Sequence, residues 1–299
     1  MAPLYIILFG LGLIVGSFLN VVAFRYNPEE SLFGIGHLTG RSKCRSCQKK
    51  LRWYELIPIF SFFVLRGRCG SCKEKISWQY PIVELLTGLA TMGVPYVFSK
   101  MFFIKQVFLA GGPIGWFAII SIIWIWIFYL FILLALIDFR LKIIPNEINV
   151  ILFLLGVGIL GWQFWYDKFD LASGTFLGGY AAMFGFREDL FLNHLLAGLV
   201  AGGLFGLAVF LTKGKGMGMG DVKLAFVLGW LFGWPDVVLL IVIAFILGGV
   251  FGVGVIVSKK GKGMKMTVPF GPFLVLAGTL VFYLGESILV HYFSWFGII

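Results

Sequence analysis

Apolar residues run along this chain in long blocks separated by short polar connections. A helix needs about 20 predominantly apolar residues to cross the hydrocarbon core of a bilayer. Segments 4–25, 80–98, 114–137, 147–166, 191–211, 222–235, 237–257 and 269–292 carry that pattern and predict eight helices. The sixth is 14 residues long, below the length of a full perpendicular span. The first run, Leu4 to Phe24, lacks a basic start and is long enough to be a retained helix rather than a signal peptide. One hydrophilic block of about fifty residues, 27–79, interrupts the series.

Composition agrees. The chain of 299 residues is 60 % hydrophobic and only 13 % charged, and its mean hydropathy is +0.98. So little charge cannot cover the surface of a soluble domain this long. The 40 glycines suit helices that approach one another closely in lipid.

The net charge of +10 raises the question of nucleic acid, but its distribution answers otherwise. With the N-terminus outside, 20 of the 24 Lys and Arg residues fall on the cytoplasmic side, and Lys100, Lys105, Lys168 and Arg187 remain outside. That asymmetry orients the helices and supports an even number of them, with both termini expected outside. No nucleic-acid partner is expected.

All four cysteines lie in the hydrophilic block, as Cys44-x2-Cys47 and Cys69-x2-Cys72. Two such knuckles can aim four thiolates at one ion and complete a closed tetrahedral zinc site, structural because no position is left for water. Two disulfides or free thiols are the alternative, and a reducing cytosol disfavours the disulfides. His37 is a spare candidate ligand. The expected fold is therefore an all-α polytopic membrane protein of about eight transmembrane helices with a cytoplasmic zinc-binding loop. Its expected divisions are 1–26 as the first helix, 27–79 as the four-cysteine domain and 80–299 as the main membrane domain.

Five carboxylates sit in or against apolar segments: Glu84, Asp138, Glu147, Asp221 and Glu286. An ionisable group at such a place is costly, so each is a candidate for function, although one at a helix end can reach water. Asp138 and Asp221 stand apart. Asp138 closes the third helix in Leu136-Ile137-Asp138-Phe139-Arg140, and Asp221 opens the sixth in Gly218-Met219-Gly220-Asp221-Val222-Lys223. The charge count puts both at the cytoplasmic side and at similar depth. Two close carboxylates do not both ionise cheaply: one holds a proton and polarises a carbonyl while the other activates water. Gly218 and Gly220 let the backbone bend and approach a peptide there, with Lys223 as a further supporting residue.

At this point the chain resembles the bacterial type IV prepilin leader peptidases. The resemblance runs over nearly the whole chain. It is carried by Gly16-Ser17-Phe18-Leu19-Asn20-Val21, the two cysteine pairs, Trp53-Tyr54-Glu55 with Pro58 and Ser61, Ile76-Ser77 and Tyr80-Pro81-Ile82-Val83-Glu84. It continues through Asp138 with Ile144-Pro145, Gly218-x-Gly220-Asp221-Val222-Lys223-Leu224, and Pro269-Phe270-Gly271-Pro272-Phe273.

The resemblance implies two activities at the inner membrane of a bacterium. One is removal of a basic leader after a glycine from prepilins and pseudopilins, with Asp138 and Asp221 aligned to the family's catalytic pair. The other is N-methylation of the exposed residue by S-adenosylmethionine, tied to the cysteine loop and the segment after it. Glu55 and Glu84 then stand as methyltransferase or structural residues. The sequence departs from the family's pattern at Asn146, where Asp often follows Ile-Pro, and at Leu56, where many members have Asn. A broader intramembrane aspartic protease would share the aspartates without the zinc loop, and a proton-coupled transporter would also use intramembrane carboxylates. The sequence leaves the oligomeric state open.

Overall fold

The computed structural model describes residues 2–32, 34, 40–101, 114–165, 175–177, 180, 189–214, 216–258 and 268–297. Nine α-helices are described: α1 (Ala2–Arg25), α2 (Phe60–Val64), α3 (Gln79–Met101), α4 (Ile114–Leu141), α5 (Asn146–Trp165), α6 (Leu190–Leu211), α7 (Met219–Phe232), α8 (Asp236–Ser258) and α9 (Gly271–Trp295). All eight apolar segments are helices, and α2 lies in the hydrophilic block. Among the described residues there is no strand, only two isolated β-bridges. Six helices are long and apolar enough to cross a membrane: α1, α3, α4, α6, α8 and α9. The apolar part of α5, Asn146–Gly161, is shorter, and α7 has 14 residues. The expected eight thus exist as helices, while six qualify as spans by length and composition.

The chain divides into two compact units, Met1–Ile137 and Asp138–Ile299, with the boundary inside the last turns of α4. In the first, α1 packs along α3 at close range because both lines of contact are small. A Cβ on Gly12 would lie 2.7 Å from Gly88 Cα, and one on Gly16 would lie 2.7 Å from Glu84 Cα and strike the Thr87 hydroxyl. This is the small-xxx-small geometry that brings helix backbones together in lipid. Asn20, fully buried, donates from Nδ2 to Gly16 O at 3.2 Å and Tyr80 O at 3.4 Å, fixing α1 against the start of α3. Thr91, which also lies against Gly12 of α1, shares a hydrogen bond of 2.6 Å with Tyr129 of α4.

In the second unit α7 is the central element, packed against α5, α6 and α9. Gly229 makes the α6 contact close, since a Cβ there would lie 2.5 Å from Ala197 O. Along α5, Phe153 stacks on Phe226 with ring centroids 6.2 Å apart and accepts at its carbonyl from Trp230 Nε1 at 3.3 Å. Asn146 meets Lys223 and Gly156 meets Trp230, so the two helices run parallel.

Candidate aspartyl site and four-cysteine cluster

Asp138 occupies the final turn of α4, which stops where Lys142 turns to φ 58° and returns its N–H to Asp138 O at 2.8 Å. A residue in the left-handed region is a common way to end a helix. Pro145, with no N–H to leave unpaired, then leads into α5. The Asp138 side chain is turned inward and 4 % exposed. The Gly271 N–H, at the start of α9, hydrogen-bonds to its carboxyl, and Oδ2 is buried with no hydrogen-bond partner among the described residues. The Pro269-Phe270-Gly271-Pro272 segment thus brings the positive end of α9 to this aspartate.

Asp221 lies in the first turn of α7. Its Oδ2 accepts from Gly218 N at 3.2 Å, and its own N–H donates to Gly218 O at 3.2 Å. Gly218 is therefore the residue that closes the turn. Gly220 serves a different need, close approach: a Cβ there would lie 3.2 Å from Ile144 Cβ. Lys223 donates from Nζ to Asn146 Oδ1 at 2.8 Å, joining the first turns of α7 and α5. The departure at Asn146 therefore keeps an acceptor for Lys223. The carboxyl groups of Asp138 and Asp221 are near enough to interact electrostatically. Glu147 is half-buried and Glu286 exposed, neither with the burial of Asp138.

Asp236 and Asn149 are among the buried polar residues that the sequence pattern does not single out. Asp236, at the start of α8, is fully buried and accepts from Phe176 N at 2.8 Å; in sequence it reads as an ordinary helix-opening carboxylate. Asn149, in α5, is 5 % exposed. Its burial could have been suspected from the α5 periodicity, since Pro145, Asn149, Leu152 and Gly156 fall on one buried face.

In the first unit the cysteine loop forms two knuckles of matching construction. Cys44 N bonds to Lys49 O at 3.0 Å and Cys69 N to Glu74 O at 2.8 Å. Gln48 and Lys73 occupy equivalent positions with φ 56° and 61°. The four Sγ atoms lie within 4.8 Å of one another, and Cys44 and Cys72 are 3.7 Å apart. Ligands about 2.3 Å from a tetrahedral ion stand about 3.8 Å from each other, so the cluster fits a metal. Backbone N–H groups of Cys72 and Ser71 draw the Cys69 thiol down to about 7. At Cys72 the Glu74 N–H favours the thiolate, but desolvation and the crowding of Cys69, Cys47 and Cys44 push it up to about 12. A cation resolves that crowding, because it stabilises all four thiolates together. His37 lies outside the described residues.

Glu55 and Glu84 both support this loop. Glu55 Oε2 accepts from Arg52 N at 2.8 Å while Oε1 lies over Gly70, where a Cβ would meet it at 2.6 Å. Glu84, 6 % exposed on α3, accepts from Ile59 N at 2.7 Å. Ile59 has φ 60° and ψ −54°, a γ-turn of the rare positive-φ form, closed by Phe60 N to Pro58 O. Both glutamates line a cavity of about 870 Å3 with Phe24, Cys44, Phe62 and Tyr80. Arg45 lies 3.8 Å over the Phe24 ring, holding the first knuckle on the end of α1.

Residues 10–98 match the bacterial peptidase A24 N-terminal domain, and residues 125–253 match the type IV leader peptidase family. The chain belongs to the type IV leader peptidase family. Several similar curated proteins are named prepilin leader peptidase/N-methyltransferase. The one from Aeromonas hydrophila is 28 % identical, covering 96 % of this chain and 93 % of its own length. That from Xanthomonas campestris pv. campestris is 28 % identical over 97 % and 94 %, and that from Pseudomonas aeruginosa 27 % over 96 % and 92 %. No solved structure matches with significance. The first family match holds the cysteine cluster with most of α1 and of α3, and the second holds Asp138 and Asp221.

Proposed function

We propose that this membrane protein removes the leader peptide from type IV prepilins and pseudopilins, and N-methylates the new N-terminal residue. The observation that carries the peptidase half is the Asp138–Asp221 pair: two carboxyl groups near enough to feel each other's charge, each beside a helix N-terminus, with Asp138 Oδ2 buried and without a hydrogen-bond partner among the described residues. One carboxylate takes a proton from water, whose oxygen attacks the scissile carbonyl carbon. The other, protonated, donates to the carbonyl oxygen; as the resulting diol collapses it takes a proton back from that hydroxyl, and the first carboxyl passes the proton it took from water to the departing amine. Gly218 fixes the Asp221 side chain, and Lys223 with Asn146 fixes α7 against α5. The pair titrates as a unit, so neither residue is assigned permanently as acid or base.

The two Cys-x2-Cys knuckles hold a structural zinc through Cys44, Cys47, Cys69 and Cys72. The methyl group comes from S-adenosylmethionine, which supplies an electrophilic carbon to the amine freed by cleavage. Glu55 and Glu84 act as supports of the loop. The positive-charge asymmetry supports a cytoplasmic location for the loop and both aspartates at a bacterial inner membrane, with the termini outside. The divisions 1–26, 27–79 and 80–299 describe the expected labour: an anchoring helix, a zinc domain and a membrane peptidase. Incubation of the purified protein with a prepilin and S-adenosylmethionine, read by intact mass, tests both activities. A product shortened by the leader and heavier by one methyl group is expected; uncleaved prepilin refutes the first activity, and a cleaved product without the methyl refutes the second.

A further inference from the structure

Of the buried side-chain polar atoms without a hydrogen-bond partner among the described residues, three belong to Asp138 and Asn149: Asp138 Oδ2, Asn149 Oδ1 and Asn149 Nδ2. A buried amide with neither atom paired is costly, about 1–3 kcal/mol per group, and in a native fold it asks for an explanation. The register between α5 and α7 places this one. Asn146 bonds to Lys223, and one helical repeat later Phe153 bonds to Trp230 and stacks on Phe226. Asn149 lies on that face between the two contacts, opposite the stretch of α7 from Lys223 to Phe226, one turn from Asp221. Side chains in parallel helices lean toward the N-terminal ends, which carries the carboxamide toward Asp221.

We propose that Asn149 binds the substrate main chain beside the scissile bond, its Nδ2 donating to a peptide C=O and its Oδ1 accepting from a peptide N–H. The proposal rests on the Asp138–Asp221 reading and adds a substrate-binding residue to it. The chemistry recognised is an extended peptide. A helix opened for cleavage at the membrane boundary loses its internal hydrogen bonds, and its backbone groups need new partners where water is scarce. One carboxamide meets one donor and one acceptor of such a backbone, whatever the side chains, and it leaves the chemistry to the aspartates.

Replacement by leucine of similar size is the test, because it removes both polar atoms without emptying the space. Cleavage of a prepilin by Asn149→Leu should lose about 10- to 100-fold in kcat/KM, and the thermal midpoint of the purified protein should hold or rise. Asn149→Thr, whose hydroxyl can donate and accept, should recover part of the loss. In an Asp221→Asn background, which separates binding from chemistry, Asn149→Leu should weaken prepilin binding by a similar factor. Wild-type kcat/KM for Asn149→Leu, or unchanged binding in that background, overturns the proposal. So does a fall in thermal midpoint or failed insertion of the Leu variant, since the carboxamide would then be serving the fold. If Asp221→Asn itself cleaves at the wild-type rate, the aspartyl reading fails; if it is inactive while Asn149→Leu is normal, only the role of Asn149 fails.

Discussion

Replacing Glu84 by leucine should release the start of α2 without disturbing the cysteine cluster. In the native protein Ile59 N–H meets the Glu84 carboxyl at 2.7 Å, and Ile59 holds φ 60°. A β-branched residue in that region costs on the order of 1–3 kcal/mol and persists only when its surroundings hold it. The substitution leaves the N–H without its acceptor, worth about 1–3 kcal/mol more, and the turn then relaxes by opening. Taking the hydrogen bond alone, the opening equilibrium shifts by roughly 5- to 150-fold, since about 1.4 kcal/mol is tenfold. Hydrogen–deuterium exchange in detergent reads this directly as faster exchange of the amides at 59–63, with the first half of α1 and the distal half of α3 unchanged. Glu84→Gln keeps an acceptor oxygen and should lose less. Ile59→Gly in the Leu background removes the conformational penalty and should restore part of the protection. Exchange at 59–63 in Glu84→Leu equal to wild type would refute the view that this carboxyl holds the turn.

Purified protein should contain one zinc per chain, and Cys69→Ser/Cys72→Ser should lose it, as measured by elemental analysis; a double variant still carrying one zinc would contradict the four-thiolate site. Gly220→Val adds branches where a bare Cβ already lies 3.2 Å from Ile144, so the start of α7 must move. An overpacking cost of about 1–3 kcal/mol displaces Asp221, and prepilin cleavage should slow at least about tenfold with zinc content unchanged; an undiminished rate would show that this approach is not needed.

The helices were legible because lipid demands long apolar runs, and each of the eight segments matches a helix to within a few residues. Their ends were less so, and at two of them the error has meaning. Hydropathy ends the third segment at 137, yet α4 continues to Leu141, because a charge that ends an apolar window does not end a helix and Arg140 and Leu141 are good helix formers. It starts the sixth at 222, yet α7 begins at Met219, so Asp221 is inside the first turn and bound to Gly218. The cysteine cluster was legible from spacing alone, since each knuckle is a local structure. The partners of Glu84 and Asn149 were not. Ile59 is 25 residues from Glu84, and nothing in a hydropathy window says which face of α5 meets α7. Span count likewise differs from helix count, because α5 and α7 are apolar but short.

The central claim is that Asp138 and Asp221 together cut the substrate. Its most direct test is the mass of a prepilin after incubation with the wild-type protein, Asp138→Asn and Asp221→Asn, all purified from membranes with equal zinc content. Each variant keeps the shape of the carboxyl but cannot serve as base or acid, so both should leave the prepilin at full mass while the wild type releases the leader. Leader release by either variant at the wild-type rate would contradict the account.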